Sequence, residues 1–299
     1  MMPRVTAGGL EFEYDEIGPE SGEPIVLVMG FSAQMTRWTD LFREGLAAAG
    51  YRVFRFDNRD IGLSHSFDDH APPNPAEVMK GVLAGQDMRE HVPYVLDDMA
   101  ADTAAVIEAL GLGSAHVLGA SMGGMIVQLL ALNHPERVRS LIPVMTTSGD
   151  PGLPPATPEA IQALTTPPAS PSKEDVVAAA VQSSRVIGSH DSIRNSAEEV
   201  ARGVAADFDR SYRPLGVARQ YGAILAQPRW HDRLAELTVP TLVLHGAQDP
   251  LIPPACGQDI ARRIPKADYI EIEHWGHDVP IALVGRLVEE ITGFLARVD

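Results

Sequence analysis

Val117-Leu118-Gly119-Ala120-Ser121-Met122-Gly123-Gly124-Met125-Ile126 decides the reading of this chain. Ala115 to Leu118 reads as a buried strand, and the apolar residues after Gly123 read as a helix. Between them stands Gly-x-Ser-x-Gly. A serine between two such glycines can occupy a sharp, strained turn, because neither Gly119 nor Gly123 carries a Cβ that would clash there. The turn lifts the Ser121 hydroxyl out of the sheet, at the positive end of the following helix. The Met122 N–H then points to the space where an oxyanion would form. The pentapeptide alone is a moderate signal; the strand before it and the helix after it make it a strong one.

Outward from this elbow, strand and helix signals alternate. Leu10 to Tyr14 alternates as an edge strand. Ile25-Val26-Leu27-Val28-Met29 is a continuous apolar run, as in a parallel strand covered on both faces. A helix is expected around Trp38 to Ala49, and a strand over Tyr51 to Phe56 leads into the polar loop Asp57 to Ser64. Pro72, Pro73 and Pro75 are expected to block regular structure at the start of a loose stretch, Phe67 to Pro93. Leu96, Met99, Ala100, Thr103, Val106, Ile107 and Leu110 share one helix face, closed by Gly111. The elbow helix runs to about His134, and Val138 to Met145 is a strand. The signature is that of a mostly parallel sheet flanked by helices.

The rhythm breaks at Thr147. Residues 148–228 hold no convincing buried strand, only a proline-rich entry and helical stretches near Lys173 to Arg185, Ser196 to Ala206 and Arg213 to Ala226. They read as a helical cap inserted into a core made of residues 1–147 and 229–299. The rhythm resumes with a strand over Val239 to Gly246, a helix near Ala255 to Ile264, a strand over Asp268 to Ile272 and a last helix, Val279 to Val298.

Composition sets bounds. A net charge of -16 argues against nucleic acid or an anionic membrane surface as the main partner. A single cysteine, Cys256, allows no intramolecular disulfide and no thiolate metal site; it reads as an inert thiol. Met1 to Gly18 is polar and acidic and reads as carrying no signal peptide. No apolar run approaches the ~20 residues of a membrane span. A cytoplasmic location is the expectation, and the oligomeric state is left open.

A nucleophilic serine needs a base, and the base an orienting acid. In an open parallel sheet, reacting groups gather at the carboxyl ends of strands. Asp249 follows the strand ending near Gly246, and His277 follows the strand ending at Ile272. The order Ser121, Asp249, His277 is the one expected for such an elbow. His274 is a second candidate base. Asp278 suits capping of the final helix, His245 reads as a packed histidine, and Arg59 as an ion-pair partner. His274-x-x-His277 has metal-like spacing, but no third ligand is placed, so no metal is expected.

These motifs resemble the α/β-hydrolase fold over nearly the whole chain: the elbow, the Asp57-to-Ser64 loop, His134-Pro135-Glu136-Arg137-Val138, Val239 to Pro250, and Gly276-His277. Leu27-Val28-Met29-Gly30, Trp38 and Arg55-Phe56-Asp57-Asn58-Arg59-Asp60 are similar to the aclacinomycin methylesterase-like group of carboxylesterases. The resemblance implies a serine hydrolase cleaving a carboxylic ester of a hydrophobic small molecule, with no cofactor. It implies the Phe31 and Met122 N–H groups as the oxyanion hole. Gly30 and Trp275 are candidates for the substrate pocket, Trp275 because it flanks the base position, where core packing is the alternative. Met29-Gly30 stands where a His-Gly often opens the oxyanion loop, and Asp60 where many relatives have glycine. A lactonase or macrolide-ring-opening esterase is the alternative within catalysis. A ligand receptor with little turnover is the alternative from another class.

Overall fold

The sheet that carries the elbow has eight strands: β1 (Arg4–Ala7), β2 (Leu10–Ile17), β3 (Pro24–Val28), β4 (Arg52–Phe56), β5 (Ala115–Ala120), β6 (Val138–Val144), β7 (Leu242–Gly246) and β8 (Asp268–Ile272). The computed structural model describes residues 3–298. The spatial order is β1-β2-β4-β3-β5-β6-β7-β8. The pairs β1–β2 and β2–β4 are antiparallel, and all others are parallel.

Leu10 to Tyr14 lies in β2, which is paired on both sides, so the expectation of an edge there is corrected. The edge is β1, whose four residues are too short to show a periodicity of their own.

The apolar run in β3 is divided between two cores, as period-2 geometry requires. Val26 and Val28 face one side, together with Leu96, Met99 and Ile107 of α3 (Leu96–Ala109) and Ile126 and Leu130 of α4 (Met122–Asn133). Ile25 and Leu27 face the other, with Phe42 and Leu46 of α1 (Asp40–Ala48) and Leu287 and Ile291 of α10 (Ile281–Leu295). Each of these apolar side chains is buried, contributing roughly 1.5–3 kcal/mol. A helix layer on each face is what makes an unbroken apolar strand stable here.

The stretch expected to be loose holds α2 (Pro75–Leu83). Pro75 sits in its first turn, where the missing N–H costs nothing, and the Asn74 side chain caps the Ala76 N–H. The proline thus starts a helix instead of preventing one.

Between β6 and β7 lie four α-helices, α5 (Pro158–Thr165), α6 (Lys173–Ile187), α7 (Ala197–Arg210) and α8 (Pro214–Ala226), followed by a short 3-10 helix, His231–Glu236. Thr157, Ser172 and Ser196 cap the first three. Of the four, α5 leaves no legible pattern in its proline-rich surroundings. The chain then re-enters the sheet at β7, followed by α9 (Pro254–Arg263). Among the described residues no helix is long and apolar enough to cross a membrane.

Candidate active site

The elbow is a close packing of backbone on backbone. A Cβ on Gly119 would lie 2.1 Å from the Gly123 carbonyl oxygen, and one on Gly123 would lie 2.2 Å from that of Val28. Both glycines are required for space. Ser121 itself takes φ 55° and ψ -120°, a left-handed conformation that costs a non-glycine residue about 1–3 kcal/mol. Its N–H donates to Val144 O at 3.0 Å, while its carbonyl accepts from Gly124 N at 2.9 Å and Thr146 Oγ1 at 2.7 Å. The side chain makes no capping bond to α4, so the hydroxyl is left for another partner.

That partner is His277. Its Nε2 lies 2.9 Å from Ser121 Oγ, and its Nδ1 lies 2.7 Å from Asp249 Oδ2. Three residues from the ends of β5, β7 and β8 thus form one hydrogen-bonded chain. Asp249 is 3% exposed, and its other oxygen, Oδ1, accepts from the N–H groups of Leu251 and Ile252. Those two bonds fix the carboxylate with Oδ2 toward the imidazole. The His277 N–H donates to Ile187 O at 2.7 Å, tying the base loop to the end of α6.

The remaining predicted residues separate. Gly30 is buried beside the elbow, and a Cβ there would stand 3.0 Å from Ala120 O and 3.1 Å from Ser121 Cβ. The N–H groups of Phe31 and Met122 have no hydrogen-bond partner among the described residues. Trp275 is 0% exposed, packs in the core on the α1 and α10 face and donates its indole N–H to Asp278 O at 2.6 Å. Its ring offers no surface to a ligand; it supports the His277 loop from beneath, which corrects its assignment to the pocket.

His274 is exposed, with its ring 5.0 Å from that of His190, and its imidazole is not part of the Ser121 chain. Asp278 does not cap α10. Its Oδ1 accepts from Ser189 N at 3.1 Å and Ser189 Oγ at 2.5 Å, while Asn195 Oδ1 receives the Ile281 N–H. Burial holds the Asp278 carboxyl above the usual carboxylate range, against the opposing effect of those two bonds. His245 is fully buried, with Nε2 2.8 Å from Ile252 O, and burial holds its imidazole below the usual range. Burial pushes the Cys256 thiol up to about 11, so at neutral pH it is protonated and unreactive. Among the described residues no group of three or more His, Cys, Asp or Glu side chains is placed to hold a metal ion.

Asp60 of the Asp57-to-Ser64 loop is one half of a buried ion pair. It is 0% exposed with φ 69°, and Arg219 of α8 grips it with two bonds of 2.7 and 2.8 Å. Tyr94 Oη, Ser66 Oγ and the Phe67 N–H also donate to it. Arg59 points the other way, making a two-bond pair with Asp102 of α3. A second buried carboxylate of the same loop, Asp57, lies 2.7 Å from Arg210 of α7 and accepts the Met35 and Leu63 N–H groups. Arg59 is thus the ion-pair partner expected from sequence, whereas Arg219 and Arg210 left no signal there, because their partners are distant along the chain and polar residues on a helix usually face solvent.

Residues 23–281 match the model of a protein family described as alpha/beta hydrolase fold. The chain is 29% identical to rhodomycin D methylesterase DauP of Streptomyces sp. (strain C5), with 89% of each chain covered. Among solved structures it resembles the enol-lactonase from Burkholderia xenovorans LB400, with a TM-score of 0.74, 21% identity and coverage of 98% of this chain and 100% of that one; at that identity the likeness is one of fold. It also resembles Est816, described as an N-acyl homoserine lactone degrading enzyme, with a TM-score of 0.68, 28% identity and 99% of each chain covered.

Proposed function

This chain belongs to the alpha/beta hydrolase fold family, and on that footing we propose that it is a serine hydrolase cleaving a carboxylic ester of a hydrophobic small molecule. The observation that carries the reading is the unbroken chain Ser121 Oγ, His277 Nε2, His277 Nδ1, Asp249 Oδ2, with links of 2.9 and 2.7 Å, on a strained elbow.

In the proposed cycle His277 Nε2 takes the Ser121 proton as Oγ bonds to the ester carbonyl carbon. Asp249 holds the proton on Nδ1, which keeps Nε2 free to accept and stabilises the imidazolium that forms. The carbonyl oxygen, now negative, receives the Phe31 and Met122 N–H groups, each worth about 3–4 kcal/mol in comparable sites. Collapse breaks the bond to the alkoxy oxygen, which leaves as the alcohol with the proton from His277. Water then attacks the acyl-enzyme, giving one proton to His277, which returns it to Ser121 as the acid departs.

Helices α5 to α8 act in this reading as a cap over the serine, within residues 148–228. The likeness to a methylesterase supports a compact alcohol, methanol in the simplest case, on a bulky acyl group. The likeness to Est816 supports a second reading, a lactone as substrate, since the same chemistry opens a cyclic ester. Steady-state hydrolysis of p-nitrophenyl esters from acetate to decanoate, of bulky methyl esters and of acyl lactones tests both readings. Multiple turnovers that vanish in Ser121→Ala establish the hydrolase, and the preferred series identifies the ester. Absence of both turnover and fluorophosphonate labelling of Ser121 overturns it.

A further inference from the structure

One residue of α8 reaches the oxyanion loop directly. Gln220 is 0% exposed, and its side-chain amide spans two backbone segments. Its Oε1 accepts the Ser32 N–H at 3.1 Å, and its Nε2 donates to the Arg59 carbonyl at 3.0 Å. The orientation of the amide is forced, since an N–H can only donate and a carbonyl can only accept.

Ser32 is the residue immediately after the proposed donor Phe31, and it holds φ 61°, a region that non-glycine residues populate sparsely. The loop makes one long turn of its own, from Ala33 N to Gly30 O at 3.4 Å. A residue in that conformation persists only when its surroundings hold it there, and Gln220 supplies the bond to the Ser32 N–H. The peptide joining Phe31 to Ser32 is therefore fixed from a helix of the inserted segment. The neighbours of Gln220 hold α8 in place on both sides. Arg219 is locked to Asp60, and the Tyr221 ring lies 5.8 Å from that of Phe31.

We propose that Gln220 is a positioning residue for the oxyanion hole: it holds the Phe31 N–H in register with that of Met122 through its bond to Ser32. The inference rests on the hydrolase reading above, but its structural half does not depend on catalysis. Oxyanion donors act only when aimed at the oxygen of the transition state, so loss of this bond lowers kcat and leaves KM nearly unchanged.

The test compares full-length wild type, Gln220→Met and Gln220→Glu. Gln220→Met keeps the side-chain length and removes both bonds; Gln220→Glu, kept neutral by burial, keeps an oxygen for the Ser32 N–H and offers its O–H to the Arg59 carbonyl. Hydrogen–deuterium exchange of the peptide spanning residues 30–35 is followed beside ester hydrolysis. Gln220→Met is expected to exchange at least tenfold faster there, with the start of α4 unchanged, and to lose 10- to 100-fold in kcat with KM within about twofold. Gln220→Glu is expected to regain most of both. Unchanged exchange in Gln220→Met, with an active wild type, overturns the role of Gln220 alone. If Gln220→Met does not fold, Gln220→Glu decides: a kcat more than tenfold below wild type overturns the Ser32 bond as the cause. A wild type that turns over no ester or lactone and is not labelled at Ser121 by a fluorophosphonate overturns the hydrolase reading itself, and faster exchange in Gln220→Met then leaves Gln220 as a holder of the loop without a catalytic role.

Discussion

Asp60 and Arg219 form a two-bond ion pair across 159 positions of sequence, and neither side chain is more than 1% exposed. Such a pair contributes little net stability over an apolar substitute, but removing one partner strands a buried charge. Arg219→Met is therefore expected to lose about 3–5 kcal/mol, read by urea unfolding. The double variant Asp60→Gly/Arg219→Met removes the stranded carboxylate and relieves the positive φ, and is expected to be more stable than Arg219→Met alone. A double variant no better than the single one would count against charge burial as the cause.

Asp249→Asn tests the tautomer argument. Oδ1 of residue 249 is bound to accept from Leu251 and Ile252, so the new amide nitrogen must face His277 Nδ1. It donates there, driving the imidazole proton onto Nε2, which then cannot accept from Ser121. The expected loss in kcat is about 10⁴-fold with the melting temperature little changed. A loss below tenfold would show that the carboxylate does not set the tautomer.

Gly123→Ala tests the elbow. The added methyl would meet the Val28 carbonyl oxygen at 2.2 Å, so β3 or the serine turn must shift. Overpacking of this kind costs about 1–3 kcal/mol, and the shift is expected to remove at least 100-fold of the ester hydrolysis. Thermal melts and initial rates on the same preparation separate the two effects. Retention of wild-type activity would mean that the elbow tolerates side chains the geometry excludes.

The buried His245 imidazole gives a pH prediction. Its folded-state pKa is depressed by burial, so as pH falls below about 6.5 the unfolded chain takes up the proton first. The stability tied to neutral His245 is fully present above that pH and is lost on acidification. His245→Gln keeps a donor for the Ile252 carbonyl and does not titrate. The wild-type melting temperature is expected to fall more steeply than that of His245→Gln between pH 6.5 and 5. Parallel slopes would rule out this source of acid sensitivity.

The core of the fold was legible because its causes are local. An unbroken apolar run in β3, a glycine-flanked serine in a strand–helix context, and polar residues just past two later strands each mark their own position. What escaped sequence reading depends on partners far away or on context. Pro75 looked like a breaker until Asn74 supplied a cap. Asp278 looked like a helix cap, whereas Ser189, 89 residues earlier, claims its carboxylate. Trp275 next to the base suggested a pocket wall, but its side of the loop faces the core. Strand β1 is too short, and α5 too rich in proline around it, to announce itself.

The bond from the His277 N–H to Ile187 O bears on how such an enzyme can be changed. Inserted helical segments are attractive units for exchange between relatives, since they hold much of a binding surface in one continuous stretch. Here the segment is also a structural member of the machinery, because the backbone of the proposed base leans on its α6. A transplanted segment of different length or tilt would bring a new binding surface and displace the imidazole together. If these helices cap the serine as proposed, altered selectivity is better sought through single replacements on their inner faces, with the Ile187 carbonyl left where it is.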